Sequence, residues 1–339
     1  MLLENPSVRQ WIALTFPLVL VDEAQDLDEH RLSILQGLLH SSRGVIAADA
    51  FQCLAKKRDT TPLMEWLEQA GERHCLTLPQ RTRQRGLLAA ALAVRECRDI
   101  KAVLATKTFQ DRKSFHGEGF RLLEASATLR NPSLLSWSIA NEIAQHRYQG
   151  QFAILTPDTG NPIIRAALAE VQTKQWTRHN GAAFGPFPHE WDRQDSEEAD
   201  ALLDGIELPE SASSSEIQAV FAPVINCAAI AQVMARLDRL RRVTGQDHFS
   251  NVQITEFVRD AICNQSRFGL RQQRCHLAMT IQRAKNREFP NVILLWPHSV
   301  TGNSDHLRRL LYNGITRAKN HCSVIVLGQG RLNLPPFAP

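Results

Sequence analysis

Short apolar runs alternate with amphipathic stretches along the chain. The run LVLV at residues 18–21 predicts a strand buried on both faces, because four apolar residues follow one another without interruption. A helix is expected near residues 29–39, a second strand in GVIAAD at residues 44–49, and a further helix near residues 62–70. Strands that alternate with helices form βαβ units, so this pattern predicts a parallel sheet.

A second region of the same α/β type begins near Cys75. Its expected strands are CLTL (75–78), FRLLEA (120–125), FAILT (152–156), HLAMTI (276–281), NVILLW (291–296) and CSVIVLG (322–328). The stretch from residue 177 to 223 is rich in Gly, Pro, Ser and acidic residues, and we expect it to be a surface insertion. The sequences CAAIAQVMARLDRLRRV and VQITEFVRDAICNQ, which follow it, predict helices.

Composition places the chain among ordinary globular proteins. Its 339 residues are 43% hydrophobic and 22% charged, and this length is enough for two domains with cores of their own. A net charge of +4 permits nucleic-acid binding without requiring it. Seven cysteines without a CxxC pair argue against a zinc ribbon or a disulfide framework and favour a reducing, cytoplasmic compartment. The apolar stretch WIALTFPLVLV contains Thr15 and Pro17 and runs into acids, so we expect neither a signal peptide nor a membrane span.

Two acids directly follow the first predicted strand. Open α/β sheets bind their ligands at the carboxyl ends of strands, which is where Asp22 and Glu23 lie. Asp22 is a candidate to hold Mg²⁺, and Glu23 a candidate to orient or deprotonate a water that attacks a phosphoryl group. The alternative is that these acids cap the next helix, where negative charge is favourable. We adopt that alternative for Asp26 and Asp28 and keep it as the less favoured reading of the first pair.

Further polar residues follow in three later segments. Gln52 lies after the second strand, in ADAFQCL beside Asp49, where an amide could sense a terminal phosphate. Arg81 in LTLPQRT and Arg317 in LLYNGITRAK are candidates to neutralise charge on a transferring phosphoryl group, because the planar guanidinium grips oxygens bidentately. The segment MTIQRAKNREF adds Thr280, Lys285 and Glu288. Each charged residue alone fits a solvated surface, but their combined order favours a functional site.

Taken together, the segments resemble the UvrD/Rep-like branch of superfamily 1 helicases over most of the chain. VDEAQD is similar to the Walker B motif, ADAFQCL to the motif that couples nucleotide to DNA, and LTLPQRT to the motif with one arginine finger. FAILTPDTGNPIIRAAL resembles a strand and helix of the second motor domain, and TIQRAKNREF resembles TIHxAKGLEF. LLYNGITRA resembles LLYVAITRA, the motif of the other finger, at eight of nine positions when similar residues count.

The resemblance implies RecA-like parallel sheets flanked by helices, as in helicases of the P-loop NTPase type. It implies an incomplete first motor domain at residues 1–72, a second motor domain at 73–176 and 270–339, and a reduced accessory insertion at 177–269. It further implies ATP and Mg²⁺ as cofactors and single-stranded or junction DNA as partner. The implied roles are Asp22 for Mg²⁺, Glu23 for the attacking water, Gln52 for the γ-phosphate, Arg81 and Arg317 as fingers, Glu288 and Gln80 for the nucleoside, and Thr280 and Lys285 for DNA.

The phosphate-binding sequence GxxxxGK[ST] does not occur in the 339 residues. We therefore expect that this chain alone neither hydrolyses ATP nor unwinds DNA at a useful rate. We also expect a missing amino-terminal segment or second polypeptide that carries the loop, since a two-stranded first domain leaves apolar sheet surface open. The alternatives are a non-catalytic module that binds single-stranded DNA or a partner protein and, less favoured, a nuclease that uses Asp22 and Glu23 as metal ligands.

Overall fold

The structure is a computed structural model that describes residues 4–55, 59–109, 112–125, 131–146, 150–178, 181–192, 195–224, 227–267 and 276–339. The chain divides into two compact units, Met1–His189 with His276–Pro339 and Glu190–Cys275. In chain order the strands are β1 Leu18–Val21, β2 Arg43–Ile46, β3 Ala105–Phe109, β4 Arg112–Gly117, β5 Phe120–Ala125, β6 Phe152–Thr156, β7 Trp176–Thr177, β8 Ala183–Phe184, β9 His189–Trp191, β10 Ser211–Ser213, β11 His248–Ser250, β12 His276–Thr280, β13 Phe289–Trp296 and β14 Ala318–Leu327.

The helices, also in chain order, are α1 Pro6–Thr15, α2 Glu29–Leu39, α3 Thr61–Ala70, α4 Arg85–Arg95, α5 Ser133–His146, α6 Pro162–Thr173, α7 Asp195–Leu203, α8 Ser214–Val220, α9 Ala228–Thr244, α10 Asn251–Arg267 and α11 Ser304–Ile315. Among the described residues, no helix is both long and apolar enough to span a membrane.

The first unit is built on an eight-stranded sheet with the order β3-β4-β5-β14-β13-β6-β12-β9. Strands β5, β14, β13, β6 and β12 pair in parallel, whereas β3, β4 and β5 form an antiparallel meander. Every residue of β6 is buried, as are the last seven residues of β14, from His321 to Leu327. A sheet that is buried on both faces explains the uninterrupted apolar runs, and the predicted α/β class with a mostly parallel sheet is confirmed.

Strands β1 and β2 form a separate parallel pair with Leu18 opposite Arg43 and Val21 opposite Ile46. Helix α2 connects them, and the side chain of Asp28 caps this helix by accepting a hydrogen bond from the Arg31 N–H at 2.8 Å. The predicted strands, the predicted helix between them and the cap at Asp28 are therefore confirmed. The prediction that β1 is buried on both faces is wrong, because none of its four residues is fully buried and Leu18 and Leu20 are 53% and 69% exposed.

Two further differences from the sequence predictions concern other elements of the first unit. The sequence CLTL is not a strand, and its Leu76 and Leu78 are 94% and 77% exposed, so the run has no partner strand and no core to pack against. Strands β3 and β4 were not expected from the sequence. Their sequences, ATKTF and RKSFHG, are mostly polar and contain no apolar run.

The second unit has its own core around Phe221, Leu237, Phe249 and Ile254. It contains the two helices that the sequence predicted, α9 and α10. The stretch expected to be only a surface insertion supplies α7, β10 and α8 to this unit. Helix α8 begins with a capping box formed by Ser213 and Glu216, a local signal that the serine-rich composition of the stretch obscured.

Candidate functional site

Strand β1 delivers two carboxylates to the carboxyl end of the small parallel sheet. Directly after it, Glu23 has a left-handed backbone conformation with φ of 53°. Few residues other than glycine adopt this conformation, and when they do they occur often at functional sites. The Glu23 N–H donates to Asp22 Oδ1 at 2.9 Å, and the Gln25 side-chain amide donates to Glu23 Oε2. Asp22 is exposed and Glu23 is partly buried, so both carboxylates are accessible to a ligand.

Gln25 ties the end of β1 to the loop after β2. Its side chain is buried, and its Oε1 accepts a hydrogen bond from the Asp49 N–H at 2.9 Å. Asp49 in turn accepts from the Phe51 N–H at 3.1 Å and from the Gln52 amide at 3.1 Å. A continuous set of hydrogen bonds therefore runs from Glu23 to Gln52 across the ends of both strands.

Arg95, at the end of α4, holds Asp49 with both of its terminal nitrogens. The distances are 2.7 Å from Nη1 to Oδ2 and 3.0 Å from Nη2 to Oδ1. Its guanidinium also lies 5.3 Å from the ring centre of Phe51 and 5.5 Å from that of Tyr312, which is on α11. Burial alone would raise the pKa of Asp49, but the hydrogen bonds from Arg95 and Gln52 together with the charge of Arg95 lower it. No motif in the sequence indicates a role for Arg95, which is the last residue of the alanine-rich helix α4.

Arg317 reaches the same place from the end of α11. Its side chain is only 2% exposed, its Nε donates to the Asn313 carbonyl at 3.1 Å, and its Nη2 donates to Gln52 Oε1 at 3.3 Å. Burial lowers the pKa of Arg317, as does the charge of Arg81, whereas the charges of Glu23 and Glu288 act in the opposite direction. Arg317 thus lies within the electrostatic influence of residues from three of the predicted segments.

Arg81 and Glu288 form an ion pair at this site. The Arg81 Nε lies 2.7 Å from Glu288 Oε1, and its Nη1 donates to the Thr316 carbonyl at 2.6 Å. Lys319 Nζ lies 2.8 Å from the other Glu288 oxygen. Hydrogen bonds from Lys319 and Arg81 lower the pKa of Glu288 to about 2. Arg81 therefore contacts Thr316, the residue that precedes Arg317.

The remaining predicted residues lie as follows. Lys285 Nζ is 2.5 Å from Asp26 Oδ2, so Asp26 forms an ion pair with a distant segment in addition to lying near the start of α2. Thr280, the last residue of β12, accepts a hydrogen bond from the Arg283 N–H at 3.2 Å. Gln80 is exposed. The assignment of Thr280 and Lys285 to DNA and of Gln80 to a nucleoside remains a prediction.

This arrangement suits a phosphorylated ligand with a hard cation. Asp22 and Glu23 offer the carboxylate oxygens that Mg²⁺ prefers, and Arg81 and Arg317 offer guanidinium groups for phosphate oxygens. In the structure these guanidinium groups donate to protein acceptors, namely Glu288 Oε1, Gln52 Oε1 and two backbone carbonyls. A polyanion would therefore have to replace some of these contacts.

Removing the contact between Arg95 and Asp49 is expected to lower the free energy of unfolding by a measurable amount. Because the Arg95 side chain is 41% exposed and that of Asp49 is 24% exposed, solvent screening keeps the effect of Arg95→Met or Asp49→Asn on the free energy of unfolding to about 1 kcal/mol. The double variant should lose little more than either single variant, since both remove the same interaction. Urea denaturation measures this, with Arg98→Met in the exposed Arg98–Glu96 pair as control. If the loss of stability in the double variant equals the sum of the two single losses, Arg95 and Asp49 do not stabilise the fold through their mutual contact.

Comparison with known families identifies one part of the chain. Residues 276–325 match the family model of the UvrD-like helicase C-terminal domain. The match extends from β12 through β13 and α11 into β14, and it contains Lys285, Glu288 and Arg317. No curated protein matches the chain.

Proposed function

Through residues 276–325 this chain is related to the UvrD/Rep-like helicases, and from that relationship we propose that it works as part of an ATP-dependent DNA helicase or translocase. In this proposal the eight-stranded sheet is the second RecA-like motor domain, and β1 and β2 belong to an incomplete first one. The observation that carries the proposal is the contact of Arg317 with Gln52 at 3.3 Å, since it joins two segments 265 residues apart that the mechanism requires at one nucleotide.

Each residue then has a role set by its chemistry. Asp22 holds Mg²⁺, which when bound neutralises charge on the phosphates. Glu23 orients the attacking water and accepts its proton. Gln52 contacts the terminal phosphate and is positioned for this by Asp49, whose carboxylate accepts from its amide. Arg317 and Arg81 stabilise the charge that develops on the transferring group.

The phosphate loop must come from outside the residues described here. An exposed apolar surface on β1 and β2 supports this, and we call it the open face. Its members and their exposed fractions are Leu18 53%, Leu20 69% and Val45 60%, and Leu20 and Val45 lie opposite each other on the paired strands. Parallel strands normally have both faces covered, so we propose that an α/β segment carrying the loop packs on the open face.

Polar substitutions on the open face are expected to reduce association without unfolding the protein. The double variant Leu20→Ser and Val45→Thr should keep the free energy of unfolding within about 0.5 kcal/mol of wild type, because both side chains are exposed. Sedimentation velocity should show less self-association than for wild type. Leu35→Ser serves as control, since Leu35 is 5% exposed and its loss should destabilise the chain. A wild-type chain that stays monomeric at all concentrations and melts cooperatively would contradict the open face as a docking site.

ATP binding and hydrolysis test the proposed function directly. The purified chain alone is expected to turn over ATP no faster than its Glu23→Gln variant, while binding single-stranded DNA with an affinity that falls steeply with salt. Supplying the phosphate loop, in the same polypeptide or as a separate one, should restore DNA-stimulated turnover that depends on Glu23. DNA-stimulated turnover by the chain alone, abolished by Glu23→Gln, would show that the loop is not required.

A second candidate is a non-catalytic module that binds single-stranded DNA or a partner protein. The observation that favours it is that Arg81 and Arg317 already donate to protein acceptors. It predicts no Mg²⁺-ATP binding under any condition, together with salt-sensitive DNA binding. Fluorescent-nucleotide titration in the presence of the phosphate loop separates the two candidates.

A further inference from the structure

A cluster of one glutamate and two histidines lies where α5 meets the beginning of β14, apart from the nucleotide site. Glu142 and His146 are four residues apart on α5 and so share one face of the helix, and His321 approaches them from β14. One potential ligand atom from each of the three residues lies within 4.8 Å of the others. These residue types are the ones that bind transition metals in proteins.

The Glu142 side chain is buried and its carboxylate is held in one orientation by neighbouring polar groups. Glu142 is 1% exposed, its Oε1 is paired with Arg121, and its Oε2 accepts a hydrogen bond from the Ser323 hydroxyl. His321 Nε2 lies 3.3 Å from Oε2. Burial alone would raise the pKa of Glu142, but the hydrogen bond from His321, the charge of Arg121 and the Ser323 hydroxyl lower it. Hydrogen bonds of this kind commonly orient metal-binding carboxylates.

The two imidazoles are stacked, with ring centres 3.8 Å apart and planes inclined by 23°. A metal ion lies close to the plane of each ring that binds it, so two stacked rings must turn apart to share one ion. A cavity of about 310 Å³ beside them is lined by both histidines and by Gln84, Gly119 and Asn320. Since His146 is the last residue of α5, the cavity gives its ring room to turn.

We propose that Glu142, His146 and His321 form a site for a divalent transition-metal ion such as Zn²⁺. Two imidazole nitrogens and one carboxylate oxygen match the ligand preference of Zn²⁺ and are unlike the all-oxygen sets of Mg²⁺ and Ca²⁺. The fourth position faces the cavity and takes a water molecule. The positive charge of Arg121 disfavours binding of a cation at this site, and the negative charge of the Glu142 carboxylate offsets that repulsion. A bound ion would fix the start of β14, which directly follows Arg317.

Cobalt(II) titration of the metal-free, tag-free full chain tests this site, because tetrahedral Co²⁺ absorbs visible light and replaces Zn²⁺. We expect saturation at one equivalent, and His146→Ala should weaken binding by at least about tenfold. Zn²⁺ should raise the melting temperature of wild type and not that of His146→Ala, whose circular dichroism without metal reports its folding.

The matched control is His74→Ala, because the His74 side chain is 84% exposed and lies outside the cluster. This variant should bind Co²⁺ as wild type does. Absence of one-equivalent binding, or equal affinity in His146→Ala, would overturn the proposal. A thiolate-to-cobalt absorption band in the near ultraviolet would also overturn it, since the ion would then be bound by cysteines such as Cys75 or Cys97, both of which are exposed.

Discussion

Replacing Arg121 with methionine is expected to lower the free energy of unfolding by about 3 kcal/mol or more. Arg121 is the cationic partner of Glu142, which is 1% exposed, while the Arg121 side chain itself is 23% exposed. Methionine retains the apolar volume but removes the charge. An ionised carboxylate is then left in the interior with the Ser323 hydroxyl and His321 as its remaining partners among the described residues. An uncompensated buried charge is among the most destabilising changes that a single substitution makes.

The pH dependence of this loss has a definite sign. In the wild type the pKa of Glu142 is lower in the folded chain than its ordinary value of 4.5. Its ionised form therefore stabilises the fold above about pH 4.5, and this stabilisation is lost as the pH falls through the lower folded pKa. Without Arg121 the folded pKa rises. The difference between wild type and Arg121→Met should consequently be largest near neutral pH and shrink in acid.

Urea denaturation in metal-free buffer measures the effect at several pH values. The double variant Arg121→Met with Glu142→Gln should recover most of the stability, because it removes both charges and keeps the side-chain volumes similar. Arg31→Met is the matched control, since Arg31 and Asp28 form a pair whose side chains are 68% and 45% exposed. A loss in Arg121→Met no larger than in this control would show that Glu142 does not depend on its arginine.

The sequence predicts the central strands of the sheet well because burial on both faces leaves a direct trace. Strands β6, β12, β13 and β14 each appear as an apolar run, and each lies in the interior of the sheet. The same rule fails for CLTL, since an apolar run without a neighbouring strand cannot form a ladder. It also fails for β3 and β4, whose pairing depends on contacts with β5 rather than on apolar composition.

The residues of the candidate site likewise divide into those that a local sequence pattern indicates and those that it does not. Glu23, Gln52, Arg81 and Arg317 could be predicted as candidates because each lies in a short segment whose order along the chain carries information. Arg95 could not be predicted, because its contacts are with Asp49 and Tyr312. These residues are 46 and 217 positions away along the chain, on other segments. Contacts of this kind depend on how α4 and α11 pack, and no local pattern records that packing.

Changing Arg317 to lysine is expected to reduce ATP turnover by about 10³-fold or more in an assembly that supplies the phosphate loop. The Arg317 guanidinium is 2% exposed and donates to Asn313 and Gln52 at the same time, which a single ammonium group on a flexible chain cannot reproduce. Mg²⁺-ATP affinity should fall much less than turnover, since a finger acts mainly on charge that develops in the transition state.

Single-turnover hydrolysis and separate nucleotide titration distinguish these two effects, and thermal melting shows whether the variant is folded. Arg308→Lys is the control on α11, the helix that precedes Arg317, because Arg308 pairs with Asp305 three residues earlier. This control should keep wild-type turnover. If Arg317→Lys also keeps it, Arg317 is not a finger, and its burial beside Gln52 serves only to join the two segments. If both turnover and affinity fall by the same factor, Arg317 instead contributes to binding the nucleotide before the reaction.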